Sequence, residues 1–408
     1  MASASDPVSG TTTTGLPPFD RSGKRPVILQ LVPRLDGGDI EQGTLEIAAA
    51  VVRAGGRALV ASAGGRLASR LGSVGGEFIE MPMRSKNPVA LHRTARRLAD
   101  LVRAEGVDLI HASNRIPGWI GYRAARRTGA AFVTTYHRIH ADGLLLQRRH
   151  DAVMTRGSPT IAVSDYTAQV LRDRHGVPEG RIVTIPRGID LAVFDPDAVP
   201  GTRIAQLADR WGLTDETRPA FLLPGALIPG KGQDAFIDAC AVLREMRGPD
   251  FLGLMVGDAP DGSPYPDQLE KRARNKGCAD VIKIVGPCND MPAAYRMASC
   301  AVVASTVPEP HGRVAVEAQA MGRPVIVANH GGVPEVVDDG MTGALVEPGS
   351  AGNMATAMNA FLDLDRTTCD RIAKLARLRA QRQFSMAQMQ AATLDVYERA
   401  TGVAFPAR

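Results

Sequence analysis

The sequence predicts an α/β fold of two doubly wound domains that face each other across a central cleft. Short apolar, β-branched runs alternate with helical patterns through both halves, which is the mark of parallel sheets covered by helices. At 408 residues the chain exceeds what one ordinary core organises. Between the halves, Gly188 to Thr217 is rich in Pro, Asp and Gly and lacks a strand pattern, so the hinge is expected there.

In the first half, strands are expected at Val27–Val32, Arg57–Ser62, Glu77–Met81, Asp108–Ala112, Phe132–Tyr136, Thr160–Val163 and Arg181–Ile185. Helices fit between them at Thr44–Ala54, Pro88–Glu105 and Asp165–His175, the last capped by Ser164. The second half repeats the scheme, with strands at Ala220–Leu223, Leu252–Val256, Val281–Val285, Ala301–Ala304, Pro324–Val327 and Gly343–Val346. Its helices read at Gln233–Glu245, Pro266–Asn275, Pro292–Ala298, Arg313–Met321 and Asn353–Leu364. The expected division is a disordered tail over 1–23, a first domain over 24–200 and a second over 201–385. A C-terminal helix over 386–408 is expected to return to the first domain. Ligands of such sheets sit where strands run into helices, so the informative residues belong in those loops.

Composition narrows the function. The strongest apolar runs, such as Val27–Val32, fall well short of the ~20 residues that a membrane span needs. Met1 to Ser22 is rich in Ser, Thr, Gly and Pro without an apolar centre, so neither signal nor anchor is expected and the location is predicted to be cytoplasmic. Five cysteines, Cys240, Cys278, Cys288, Cys300 and Cys369, form no CxxC pair and read as reduced core thiols. Residues 21–200 carry 26 Lys and Arg against 17 Asp and Glu, whereas residues 201–408 carry 22 against 24. A basic first half suits an anionic partner, and equally an Arg-rich solvated surface. The Pro88–Glu105 helix sets Leu91, Leu98, Leu101 and Val102 beside His92, Arg93, Arg96, Arg97 and Arg103. That pattern fits peripheral contact with anionic lipid at an inner membrane face, and equally an ordinary surface helix. Aromatics at 4%, with no basic–aromatic interleaving, argue against nucleic-acid binding.

The most specific stretch runs from Glu309 through Pro310, His311, Gly312, Arg313 and Val314 to Glu317. Pro308 and Pro310 hold the first glutamate in an extended loop. Gly312 lets the backbone approach a ligand, and the helix that follows bears Glu317. Free amides at the helix start suit a phosphate, and the two carboxylates can accept hydrogen bonds from hydroxyls. Taken alone, the stretch also reads as a charged loop with a capping carboxylate. A second loop, Gly225 to Gly232, nearly spells the P-loop GxxxxGK[ST]. It fails where Gly232 replaces the magnesium-binding hydroxyl, leaving a basic, glycine-rich phosphate loop around Lys231. Asp195–Asp197 and Asp363–Asp365 do not follow nucleotide-binding strands and read as turn and cap residues, so no metal is expected.

The chain resembles the retaining glycosyltransferases of family four, whose GT-B architecture pairs two Rossmann-like domains. The likeness covers nearly all of the chain after the tail. It rests on the E-x7-E pattern of Glu309 and Glu317, on Ala318–Val325 and Gly331–Glu335, and on the Lys231–Gly232 loop and Gly188–Asp190. Within the family, Ala61–Gly65, Ser85–Pro88 and Thr134–His137 resemble lipopolysaccharide-core sugar transferases, including mannosyltransferases. The resemblance implies transfer of a hexose from a nucleotide diphosphate sugar to a glycan or lipid-linked acceptor, without a cofactor or metal. GDP-mannose is the first expected donor and UDP-hexoses the next. It assigns Glu309 to hydroxyls of the donor sugar, Glu317 to the ribose and Lys231 to the leaving diphosphate. Amides near Gly312 and Arg313 would face that diphosphate, with His311 and Val314 in the same stretch and His137 beside the sugar.

Two positions depart from the family pattern. An arginine is usual where this chain has Ala226, directly after Gly225. A glycine is usual where Asp39 follows Gly38, and a carboxylate there opposes a donor phosphate. Arg313 and Arg187 are the candidates to replace the missing charge, and Asp39 with Gln42 fits a capping box. The second functional reading is therefore a weakened or inactive relative that binds nucleotide, glycan or a partner protein.

Overall fold

The computed structural model describes residues 25–137 and 151–407, so the expected tail over 1–23 lies outside the described residues. The first sheet comprises β1 (Val27–Leu31), β2 (Arg57–Ser62), β3 (Glu77–Glu80), β4 (Leu109–Ala112), β5 (Ala131–Tyr136), β6 (Thr160–Ala162) and β7 (Ile182–Thr184). Its order is β3-β2-β1-β4-β5-β6-β7 and every ladder is parallel. The second sheet comprises β8 (Ala220–Pro224), β9 (Leu252–Val256), β10 (Ile282–Gly286), β11 (Cys300–Val303), β12 (Val325–Ala328) and β13 (Gly343–Val346). Its order is β10-β9-β8-β11-β12-β13, again parallel throughout. Each strand falls within one residue of its expected ends.

Helices cover both faces of each sheet, which is why β1 is buried at every position. The two-residue side-chain period divides it between layers: Ile28 packs with Leu45 and Val51, whereas Leu29 and Leu31 pack with Leu98 and Ile120. β8 divides in the same way, Leu222 meeting Tyr295 and Val316 on one face and Phe221 meeting Phe236 and Met358 on the other.

The strandless stretch is not simply a hinge. Gly201–Arg210 is a helix, and its Leu207 joins Phe194, Val199 and Trp211 in the core of the second domain. The density of Pro, Asp and Gly around it hid this short amphipathic turn. The domain crossings lie at two points that touch each other. Ile189 N–H donates to the Phe384 carbonyl at 2.9 Å, and Met386 N–H donates to the Ile189 carbonyl at 2.9 Å.

After that crossing, Ser385 and Gln388 form a capping box that starts the helix Met386–Thr401. Leu394, Val396 and Tyr397 of this helix lie in the first-domain core, packed with Ile47 and Leu109. The Tyr397 hydroxyl meets His111 Nδ1 at 2.7 Å, and the other ring nitrogen meets Thr135 Oγ1 at 2.7 Å. Among the described residues, no helix is long and apolar enough to cross a membrane.

Burial pushes His111 down to about 4, so it stays neutral where an exposed histidine would charge. Below pH ~6.5 the unfolded chain binds a proton that the folded chain refuses until about pH 4, so this contribution to stability is lost on acidification. Denaturant titrations between those two pH values should show the wild type losing on the order of 2–3 kcal/mol. The loss should be shallower in His111→Asn.

Candidate active site

A cavity of about 890 Å³ opens at the C-terminal ends of both sheets, within the range of ligand sites. From the second domain, the loops after β8 and β11 reach it; from the first, the loop after β1, the end of β5 and Arg187 beyond β7. Gly38, Asp39, His137, Gly225, Ala226, Lys231, Glu309, His311, Arg313, Val314 and Glu317 all line it. Gly312 does not: its α-carbon packs against Val333 and Val336, which leaves no room for a side chain.

Lys231 owes its position to the glycines around it. Gly232 adopts φ +82°, and a side chain there would run into the Ala304 carbonyl. This close approach is the physical reason that the loop cannot carry the P-loop hydroxyl. Lys231 Nζ then reaches Glu309 Oε1 at 2.8 Å, with both side chains partly exposed to the cavity. Ser305, just beyond β11, also donates to Glu309 Oε1, while its own carbonyl meets His330 Nε2 at 2.7 Å. Sequence reasoning did not single out Ser305, although its place after a strand and four residues before Glu309 was a usable signal. Gly331, at φ +69°, and Gly332 press on the other side of this loop, where Gly332 N–H donates to the Glu309 carbonyl at 2.7 Å.

The helix Arg313–Ala320 presents the second carboxylate. Glu317 is buried and accepts from Arg313 Nε at 2.8 Å and from the Tyr295 hydroxyl at 3.0 Å. Burial raises its carboxyl pKa, and Arg313 and Tyr295 act against that rise. Tyr295 was missed because it comes from the separate helix Met291–Met297 and no local pattern links it to Glu317. His311 Nε2 is shielded from solvent and unpartnered. Burial, with the Arg187 and Arg313 cations, pushes His311 down to about 3, so its ring is neutral.

One first-domain feature differs from expectation. Asp39 does not form a capping box with Gln42: Gly38 is the N-cap without a side-chain bond, and Asp39 is the first residue of the helix Asp39–Arg53. Its carboxylate instead pairs with Arg313 Nη1 across the cleft at 3.2 Å. The Asp39 side chain is 73% exposed, so this pair contributes at most ~1 kcal/mol and yields readily. Arg187 lines the cavity and donates to the Asp39 carbonyl at 2.8 Å. It occupies space that only a glycine at position 43 leaves, since a side chain there would collide with the guanidinium. Ala226 faces the cavity with nothing beyond its methyl, and its carbonyl accepts from Gln233 Nε2 at 2.9 Å. Three cations thus surround one cavity with Glu309 and Glu317, an arrangement that can bind an anion flanked by hydroxyls.

Completing the P-loop by Gly232→Ser should destabilise the second domain by about 2 kcal/mol or more, because of the positive φ and the Ala304 carbonyl. Chemical denaturation of the two proteins measures this directly.

Comparison with known proteins places this geometry. Residues 37–193 match the model of Glycosyltransferase Family 4, and residues 208–379 match that of Glycosyl transferases group 1. The D-inositol 3-phosphate glycosyltransferase 2 of Catenulispora acidiphila is 33% identical over 310 residues, covering 72% of this chain and 70% of that protein. The corresponding Mycolicibacterium smegmatis enzyme is 31% identical, covering 74% and 71%. Among solved structures, a glycosyltransferase from Rickettsia africae superposes with a TM-score of 0.84 at 29% identity, covering 92% of this chain and 98% of that one. The Anabaena protein HepE, determined with UDP-glucose, gives a TM-score of 0.77 at 25% identity over 90% and 99% of the chains. With both sheets matched by family models and curated relatives aligned across more than two thirds of their length, the chain belongs to glycosyltransferase family 4.

Proposed function

We propose that the cleft binds a nucleoside diphosphate sugar and transfers its hexose to an acceptor hydroxyl with retention of configuration, without a metal. The observation that carries this reading is the convergence of Lys231, Glu309, Arg313 and Glu317 on one interdomain cavity. In this reading Glu309 accepts hydrogen bonds from the donor sugar and Glu317 from the ribose. The amides of Arg313 and Val314 face the diphosphate, and His137 lies beside the sugar. Lys231 turns from Glu309 toward the leaving phosphate as the bond from the anomeric carbon to phosphate oxygen breaks. Negative charge grows on that oxygen in the transition state, where a fixed ammonium stabilises it most. The acceptor oxygen attacks the same face of the anomeric carbon, and the leaving phosphate takes its proton.

The missing arginine at Ala226 is answered in this reading by Arg187, whose guanidinium faces the cavity and pairs with no carboxylate among the described residues. The donor's diphosphate competes with Asp39 for Arg313, an exchange that the weakness of that exposed pair permits. The structure of HepE with UDP-glucose supports a UDP-linked donor ahead of GDP-mannose. For the acceptor, curated relatives that act on D-inositol 3-phosphate favour a phosphorylated polyol. A lipopolysaccharide-core acceptor has weaker support, since the solved structure of WaaG, a glycosyltransferase involved in lipopolysaccharide biosynthesis, shares 18% identity and thus only the fold. The exposed arginines of the helix Pro88–Ala104 leave peripheral contact with an anionic membrane as part of the proposal. The Ala226 departure favours one second reading, a weakened relative that binds nucleotide without efficient turnover.

Transfer assays with UDP- and GDP-hexoses, onto inositol phosphates and onto core oligosaccharide, test the proposal. Lys231→Ala should lower kcat/KM by about a hundredfold or more, and Asp39→Asn should lower the donor KM several-fold. A purified wild type that transfers nothing, and is not rescued by Ala226→Arg, removes the transferase reading in favour of the weakened relative.

A further inference from the structure

Glu335 reaches across the domain boundary. It sits in the turn Pro334–Val336 after β12, yet its two carboxylate oxygens accept the backbone N–H groups of Asp165 at 2.8 Å and Tyr166 at 2.6 Å. Those amides open the first-domain helix Asp165–His175, where no carbonyl of the helix itself can serve them. Ser164 satisfies the next amide, Thr167 N–H, at 3.0 Å. The helix start is therefore completed jointly, by its own serine and by a carboxylate from the opposite domain. Two charge-assisted bonds at the positive end of a helix are a strong form of this contact.

The glycines that lead into this turn also support Glu309. Gly332 N–H donates to the Glu309 carbonyl at 2.7 Å, and Gly331 packs its α-carbon on the Glu309 backbone. Beside it, Thr167 Oγ1 lies 3.4 Å from the Pro310 carbonyl, so the capped helix touches the loop that carries Glu309. On its other flank the turn is tied to its own domain, because Arg379 donates to the Glu335 and Val336 carbonyls at 2.9 and 3.1 Å. The segment 331–336 thus contacts the reacting loop on one side and the first domain on the other.

We infer that Glu335 is a positioning residue that latches the two domains closed and couples that closure to the placement of Glu309. The inference rests on the donor-binding reading of the cleft. Opening the domains withdraws the carboxylate from the Asp165 and Tyr166 amides and releases the Thr167–Pro310 contact. Donor binding then has to supply the closure that the latch otherwise holds, which raises the apparent KM without changing the chemistry at saturation. Asp165 carries a like charge beside Glu335 and works against the latch.

The test uses the full chain in three forms: wild type, Glu335→Gln and Asp165→Asn. Glu335→Gln keeps the shape but replaces one acceptor oxygen by a donor, so it faces two amides with one acceptor. Small-angle scattering of the ligand-free protein should show Glu335→Gln expanded relative to wild type. Its donor KM should rise about tenfold while kcat at saturating donor stays within about twofold, and Asp165→Asn should shift KM the other way. A Glu335→Gln protein with the wild-type radius of gyration and KM overturns the inference. So does one that loses only kcat and melting temperature, the signature of a purely structural cap. If the wild type is inert to every donor, the transferase reading fails on its own, and the scattering comparison still decides the latch.

Discussion

The cleft is organised by charges that neutralise one another until a ligand arrives. Lys231 rests on Glu309, and Arg313 is held between buried Glu317 and exposed Asp39. Pairing holds these two cations already aimed, while Arg187 faces the same cavity held by the Asp39 carbonyl and by no carboxylate among the described residues. The pairs differ in how easily they open. The exposed Asp39 contact gives way first, while Glu317 is fixed from below by Tyr295. Exchange of a carboxylate partner for a diphosphate keeps each cation paired, which suits an anionic donor that must enter and then leave as a more highly charged product.

Backbone geometry places those charges, and glycine decides where backbones can meet. Gly232 lets the Lys231 loop settle on the Ala304 carbonyl, and Gly331 and Gly332 let a second loop settle on Glu309. Gly43 clears the volume that the Arg187 guanidinium fills. Around these contacts the parallel sheets contribute something simpler. Their strands end together, so loops far apart in sequence converge on one space. The tyrosine–histidine contact between Tyr397 and His111 binds the returning C-terminal helix into the first domain.

The strands were legible because a buried parallel strand needs a continuous apolar run and few other segments supply one. The loops bearing Lys231 and Glu309, and the helix start that leads to Glu317, were legible for a related reason, since each loop follows such a run and breaks it with Gly, Pro and charge. What escaped were features without a local signature. The helix Gly201–Arg210 was hidden by flanking Pro and Gly, and its apolar side shows only once Leu207 and Trp211 are seen in the core. Asp39 looked like a cap because sequence pattern alone does not separate an N-cap from a first helical residue. Its true partner, Arg313, comes from the other domain, as do the amides that Glu335 serves. Pairings at that separation leave no periodicity to read.

The central claim is that the Lys231 side of the cleft grips a nucleoside diphosphate. Calorimetric titration of UDP and GDP into wild type, Lys231→Ala and a remote control, Arg97→Ala, measures it most directly. The account predicts binding of at least one nucleotide, weakened by about tenfold or more in Lys231→Ala and unchanged in Arg97→Ala. Absence of binding to wild type, or binding indifferent to Lys231, would contradict it.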